Sequence, residues 1–370
     1  MKTLLLGDVS PTSHNAHLFA AQDIPALFGD MVSLFQNQDF TFANLECALT
    51  ESENEINKFG PNLKAPANTA QVLKTLGVDC CGLSNNHVFD YGIDGMLDTL
   101  RALQAAGLGY TGFGKDYEDS RKNYTVEKDG ERIAIVAVCE HEYSYALENR
   151  MGSRPYDEYD TIEDVRNAKK DHDRVIVIYH GGKEYCQYPS PRLLKLCHAM
   201  ARNGADVILC QHSHCIGTYE QYEGCHILYG QGNFHFVKPD KDLEIWHSAL
   251  AVEYDTKAHE INFIPLKDEG VGMKLAKGEE KDALLNAFAE RNQKLQNGEW
   301  KDGWHEFCQS VKETYVDAIG QAGLPDSPER KNGRFSHYLD CEAHTDVWRE
   351  LFPSYNLTNE TEEREIEWNF

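Results

Sequence analysis

The chain has 370 residues, 41% of them apolar and 26% charged, the proportions of a folded globular protein long enough for one large or two modest domains. Its 60 acidic residues against 36 basic ones leave a formal net charge of −24. Such a surface repels nucleic acid and anionic membranes, so neither is expected as a partner, and a small anionic substrate would need metal ions to hold it.

In chain order, Leu4–Leu6 reads as the first strand and Phe40–Phe42, in an alternating aromatic run, as the second. Pro66–Leu76 has helical periodicity with Gly77 as its stop, and Val78–Leu83 is a strand that ends in Asn85-Asn86-His87. Ile93–Ala106 is an amphipathic helix closed by Gly107, and Tyr124–Val126 with Ile133–Val138 is a hairpin about Lys128-Asp129-Gly130-Glu131. Thr161–Lys170 (helix), Val175–Tyr179 (strand), Pro191–Arg202 (helix) and Val207–Cys210 (strand) continue an α/β alternation. Strands follow at Ile227–Tyr229, His247–Tyr254 and Glu260–Pro265. Beyond Lys267–Gly278 the pattern turns helical, at Lys281–Leu295, Gly303–Ile319 and Glu342–Leu351, with a loop "GLPDSPERKNG" and an acidic tail "NLTNETEEREIEW". The expected division is a catalytic domain over 1–265 and a helical extension over 266–370. The aromatic Trp300, Trp304, Phe307 and Tyr315 call for a partner surface, either the catalytic domain, the rim of its site, or a second subunit in a homo-oligomer.

The opening apolar run is too short for a signal peptide, and no stretch nears the ~20 apolar residues of a membrane span. There are 11 cysteines but no CxxC pair, which excludes a zinc ribbon or thioredoxin-type site. Cys80, Cys139, Cys197 and Cys210 read as buried small hydrophobes. The expectation is a cytoplasmic protein with no membrane anchor.

Five polar clusters sit at or just after the strand-like runs: Gly7-Asp8, Asn44-Leu45-Glu46, Asn85-Asn86-His87, His180, and His212-Ser213-His214. Side chains at several strand ends converge on one rim of a sheet. Two carboxylates, an Asn and several His make the oxygen and imidazole set that suits pairs of Mn, Fe, Zn or Co ions. On an extended strand end, His-x-His would put His212 and His214 on one face. Asp90, three residues after His87, is placed either to orient that ring or to cap the helix near Gly92.

The strings "GDVS", "FANLECAL", "LSNNHVFDYG", "YHGGKEY", "CQHSHCIGTYEQYEG" and "ILYGQGNFHF", in this order from Gly7 to Phe236, resemble the calcineurin-like metallophosphoesterases. Within them they resemble the CapA branch of capsule and poly-γ-glutamate synthesis proteins. The resemblance implies a four-layer α-β-β-α sandwich of two mixed sheets, here with a C-terminal helical extension. It implies two divalent metal ions, one held by Asp8 and His214, the other by Asn86, His180 and His212, with Glu46 bridging them. The superfamily usually has Asp where Glu46 stands, and a His ligand where Ser10 stands; His14 or His17 could compensate, though a surface-loop role is the favoured reading of both. His87 would act on substrate, with Asp90 behind it. Glu184 and Tyr185 would shape the pocket or be structural, Asn233 would support the site, and His235 and His141 would be structural. The implied function is a metal-dependent phosphoesterase acting on a small phosphoester or nucleotide. The alternatives are a CapA-type factor in poly-γ-glutamate or capsule polymer synthesis, or a γ-glutamyl amide hydrolase.

Overall fold

The computed structural model of the chain describes residues 1–324 and 333–353. Most of the loop and all of the acidic tail read above lie outside the described residues. Seven strands form the first sheet: β1 (Lys2–Val9), β2 (Phe40–Leu45), β5 (Cys80–Gly82), β6 (Gly109–Thr111), β15 (Ser248–Asp255), β16 (Glu260–Glu269) and β17 (Gly272–Leu275), in the order β17-β16-β15-β1-β2-β5-β6. Six form the second: β8 (Tyr124–Lys128), β9 (Glu131–Cys139), β11 (Arg174–His180), β12 (Val207–Gln211), β13 (Tyr219–Tyr222) and β14 (Cys225–Leu228), in the order β13-β14-β12-β11-β9-β8. Two short pairs, β3 (Ala48–Leu49) with β4 (Lys64–Ala65) and β7 (Phe113–Gly114) with β10 (Gly152–Ser153), brace loops.

Both sheets are mixed. β1, β2, β5 and β6 run parallel, as do β9, β11, β12 and β14, while β15–β17, β8 and β13 add antiparallel edges. The alternation of side chains along each strand decides the layering. Leu5, Phe42, Ile176, Ile178, Val207 and Leu209 face inward and fill the space between the sheets. Leu4, Leu6, Ala43 and Ala251 point the other way, onto α1 (Ala16–Ala21), α2 (Ile24–Phe28), α3 (Asn68–Leu76) and α4 (Gly92–Ala106). Val175, Val177, Tyr179 and Ile208 point out from the second sheet onto α6 (Asp160–Asp171) and α7 (Pro191–Arg202); the short α5 (Tyr117–Ser120) lies beside β7. The result is the expected α-β-β-α sandwich, and each fully buried Leu, Ile or Val contributes about 1.5–3 kcal/mol to holding it.

The C-terminal helices are α8 (Gly278–Asn297), α9 (Trp300–Ala322), α10 (Arg334–Asp340) and α11 (Glu342–Leu351). The first packs Phe288 across the edges of both sheets, against Tyr219 and Phe263, and the others join the outer layer of the second sheet. Trp300, Trp304, Tyr315, Tyr338 and Val347 are buried in the same cluster as Val177 and Leu196, so the aromatics find their partner surface within this chain. The first sheet does not stop at Pro265: β16 continues to Glu269 and β17 returns to Leu275 before the helices begin. No helix among the described residues is long and apolar enough to cross a membrane.

Candidate metal centre

The parallel strands aim their C-terminal ends at one rim, where the two sheets meet. From the first sheet come Asp8 on β1, Glu46 one residue past β2, and Asn85-Asn86-His87 beyond β5. From the second come His180 at the end of β11, and His212 and His214 just past β12. All are buried. Ligand atoms of Glu46, His180 and His212 lie within 4.8 Å of one another, and so do those of Asp8, Glu46 and His214. Glu46 is common to both groups. Asn86 Oδ1 joins the first, 3.0 Å from His180 Nε2.

The rim is built by close backbone approach. A Cβ on Gly7 would lie 2.2 Å from the carbonyl oxygen of Gly232, so only glycine lets β1 meet the 230–235 segment. There His235 N–H donates to the Asp8 carbonyl at 2.9 Å. One sequence argument is corrected here. His212 and His214 do not lie on an extended strand end: β12 stops at Gln211, and both residues have left-handed backbone, φ 77° and 53°. A tight turn, not a period of two, brings the imidazoles together. That turn is held by the His212 N–H donating to Asp8 Oδ2 at 3.1 Å and the Tyr185 N–H donating to the Ser213 carbonyl at 2.8 Å. Non-glycine residues keep such conformations only where their surroundings over-determine them, commonly at functional sites.

Further partners fix the candidate ligands. Asn44 Nδ2 donates to Asp8 Oδ1 at 2.7 Å and lies 3.2 Å from His180 Nδ1. His214 Nδ1 is 2.8 Å from Asn233 Oδ1. Glu142 receives Asn86 Nδ2 at 3.0 Å and faces His212 Nε2 at 3.2 Å. His87 Nδ1 is 2.6 Å from Asp90 Oδ2, and Lys58 Nζ donates to Asp90 Oδ1 at 2.5 Å. Asp90 also accepts from the Leu63 N–H at 2.7 Å, so its side chain is fully engaged at His87 and caps no helix; the residue at the start of α4 is Tyr91.

Ser10 is buried beside the rim. His17 is exposed and His14 pairs with Asp240 at the surface, so neither takes the place that Ser10 leaves. His235 is structural, bonded to the Leu27 carbonyl and packed on Phe19 and Phe28. His141 pairs with Glu342 of α11 at 2.6 Å.

Whether metal suits this site can be tested on polar satisfaction. Both carboxylate oxygens of Glu46 and Nδ1 of His212 are buried without a hydrogen-bond partner. Buried polar atoms are nearly always paired, and an unpaired one costs about 1–3 kcal/mol. Burial, then the neighbouring Glu46 charge, pushes the Asp8 carboxyl up to about 7. Burial likewise raises Glu46 to about 7, and lowers His180 to about 4 and His214 to about 3. His212 is the exception. Burial acts to lower it, but the Glu142 carboxylate, together with Glu184 and Glu46, outweighs burial and lifts it to about 10. Carboxyls that ionise reluctantly and imidazoles that stay neutral are what a cation would reverse and use, respectively. The residues fit a divalent metal.

The model of the bacterial capsule synthesis protein family PGA_cap matches residues 2–238, well over half of the chain. The chain belongs to the PGA_cap family. The capsule biosynthesis protein CapA of Bacillus anthracis is 29% identical over 241 residues, covering 63% of this chain and 59% of that protein. The PGA biosynthesis protein CapA of Bacillus subtilis is 30% identical over 261 residues, covering 68% and 67%. This chain thus spans about three fifths to two thirds of the length of these PGA_cap relatives. A hypothetical protein from Thermus thermophilus has a similar structure at 16% identity and a TM-score of 0.45, covering 73% of this chain and 100% of that one; so distant a likeness carries no argument about chemistry. All of β15–β17 and the C-terminal helices lie outside the PGA_cap match.

Sequence reasoning missed several residues of this rim. Asn44 stood in one of the five clusters but was given no role, and Glu142 lies three residues past the end of β9, where the strand-end rule would have found it. Lys58, His337, Tyr338 and His344 carried no such signal. They line a cavity of about 260 Å³ together with His87, Lys183, Tyr185, Lys238 and Trp246.

Proposed function

We propose that this PGA_cap protein is a metal-dependent hydrolase acting on a small phosphoester or nucleotide. Glu46 carries the reading: a buried carboxylate with neither oxygen hydrogen-bonded, Oε1 3.3 Å from His180 Nε2, shared by two ligand groups. Asp8 and His214 would hold one cation and Asn86, His180 and His212 the other, with Glu46 reaching both. Bound there, Mn, Fe, Zn or Co ions would polarise a phosphoryl group and offset its charge.

The chain's own side chains supply the rest. Asp90 occupies Nδ1 of His87, which leaves Nε2 for the substrate; it would donate a proton to the leaving oxygen. Lys58 secures the Asp90 charge from the far side. Lys183 and Lys238 give the cavity of an acidic protein a positive lining suited to an anion. Tyr338 and His344 close one wall and restrict water.

The test is phosphate release from a panel of phosphomonoesters, phosphodiesters and nucleotides after loading with Mn. Turnover of at least one class, dependent on metal and on Glu46, is the expected result; no release from any of them overturns the reading. Family membership favours a second reading, since the relatives are named for capsule and poly-γ-glutamate biosynthesis. On it, the same centre serves capsule polymer synthesis or cleaves a γ-glutamyl amide. Release of free amine from poly-γ-glutamate, with no phosphate release from the panel, would favour that amide chemistry.

A further inference from the structure

Beyond the pair, the described residues contain another close group of metal-type donors. Glu142, Cys341 and His344 are all buried, and their ligand atoms lie within 4.8 Å of one another. We propose that these three residues form a third metal site, for one cation of the zinc class, on the cavity wall beside the pair, where Glu142 also meets Asn86 and His212. The proposal is independent of whether the pair is hydrolytic. Cys341 and His344 lie about a hundred residues beyond the PGA_cap match, so this site would be a feature of this chain's C-terminal segment.

Each donor is set up for the role. Tyr315 Oη lies 2.6 Å from His344 Nδ1, which fixes the ring and leaves Nε2 as its other ligating atom, the usual arrangement of a metal-bound imidazole. Cys341 stands immediately before the first residue of α11, where the helix dipole favours a thiolate. Its sulfur lies 3.4 Å from Glu142 Oε1 and 3.7 Å from Glu140 Oε2. A thiol between two carboxylates is a poor place for an anion unless a cation joins it; burial, then Glu142, pushes this thiol well up.

The overlapping group Glu140, Cys341 and Glu342 is the weaker candidate. Glu140 is matched by Arg192 at 2.5 Å and Glu342 by His141 at 2.6 Å. Glu142 has no Lys or Arg partner among the described residues; it faces His212 at 3.2 Å and His337 Nε2 at 3.9 Å. An oxygen, a sulfur and a nitrogen donor match zinc, with a fourth position for His337, water or an anionic end of the substrate. Metal binding there would release the thiol proton to solvent.

Zinc-loaded and cobalt-loaded full-length protein tests this. Neither group of the pair contains a cysteine, so sulfur ligation reports the third site alone. X-ray absorption at the zinc edge should show one sulfur per three zinc ions, at about 2.3 Å. The cobalt form should show a sulfur-to-metal charge-transfer band in the near ultraviolet. Cys341→Ser should abolish that band and lower the metal content from three to two, leaving the pair's metal in place. No sulfur scatterer and no band in the folded wild type would overturn the site, whether or not any variant folds. So would a band that survives Cys341→Ser.

Discussion

The rim at residues 8–214 and the wall at residues 337–344 border the same cavity, but they are placed by different physics. The rim's side chains stand at the ends of parallel strands whose register is fixed by apolar runs such as Leu4–Leu6 and Val175–Tyr179. The wall is carried by two short helices that reach the site only because Tyr315, Tyr338 and Val347 pack on the outer face of the second sheet. Chemistry on the rim is therefore written locally, while chemistry on the wall depends on long-range packing. Rim variants should therefore alter the pair's metal and turnover with little loss of fold, and variants of the wall's packing side chains should do the reverse.

The largest effect is expected at Glu46. Glu46→Leu should remove metal from the pair and abolish its turnover. Without metal, the variant should be more stable than the wild type by about 1–3 kcal/mol, because it deletes two buried oxygens that make no hydrogen bond. Elemental analysis and denaturant unfolding of metal-free protein check both. A variant that keeps two ions, or unfolds more easily when metal-free, would remove Glu46 from the centre of the argument.

His87→Ala should keep the metal but lose on the order of 10²–10⁴ in turnover, the usual contribution of a positioned proton donor. Falling metal content would make His87 a ligand and reverse its assignment. On the wall, Val347→Ala deletes two buried methyl groups and should cost about 2 kcal/mol of stability, while the pair's metal content stays unchanged. Parallel loss of the pair's metal would show that rim and wall are one unit and end the contrast.

Legibility in the sequence followed the same divide. The α/β alternation and the polar clusters at the rim could be read because an apolar run ending in a polar residue marks a strand end, and the resemblance of the strings around them supplied the four-layer sandwich and the six ligand candidates. The turn at His212–His214 could not, since its left-handed backbone has no signature other than the residues themselves. β17 and the far end of β16 were missed because a hairpin at a sheet edge, Lys267–Leu275, shows water too much of its surface to keep an apolar period. α10 was missed for a similar reason: only His337 and Tyr338 of its seven residues are buried. Lys58 lies in an irregular segment, and its importance comes entirely from meeting Asp90 across the fold.

The smallest expected effect is a control placed away from both regions. His247, where β15 begins, contacts Asp268 of β16 at 2.6 Å and the Lys241 carbonyl at 2.8 Å, with Glu244 also near. Its partial burial works against the charged ring, but the Asp268 bond prevails and raises it above the ordinary 6.5. A histidine whose folded value is raised adds stability that is fully present below 6.5 and is lost as pH climbs through the folded value. His247→Asn should therefore be less stable than the wild type at pH 6, with the gap closing as pH rises toward 9. Denaturant midpoints of the two proteins across that range measure it. The pair's metal content and the turnover should not change in step, because this clamp joins two antiparallel strands of the first sheet and reaches neither rim nor wall. A gap that stayed constant with pH would mean that the ring packs there neutral, and that its contact with Asp268 contributes no charge-dependent stability.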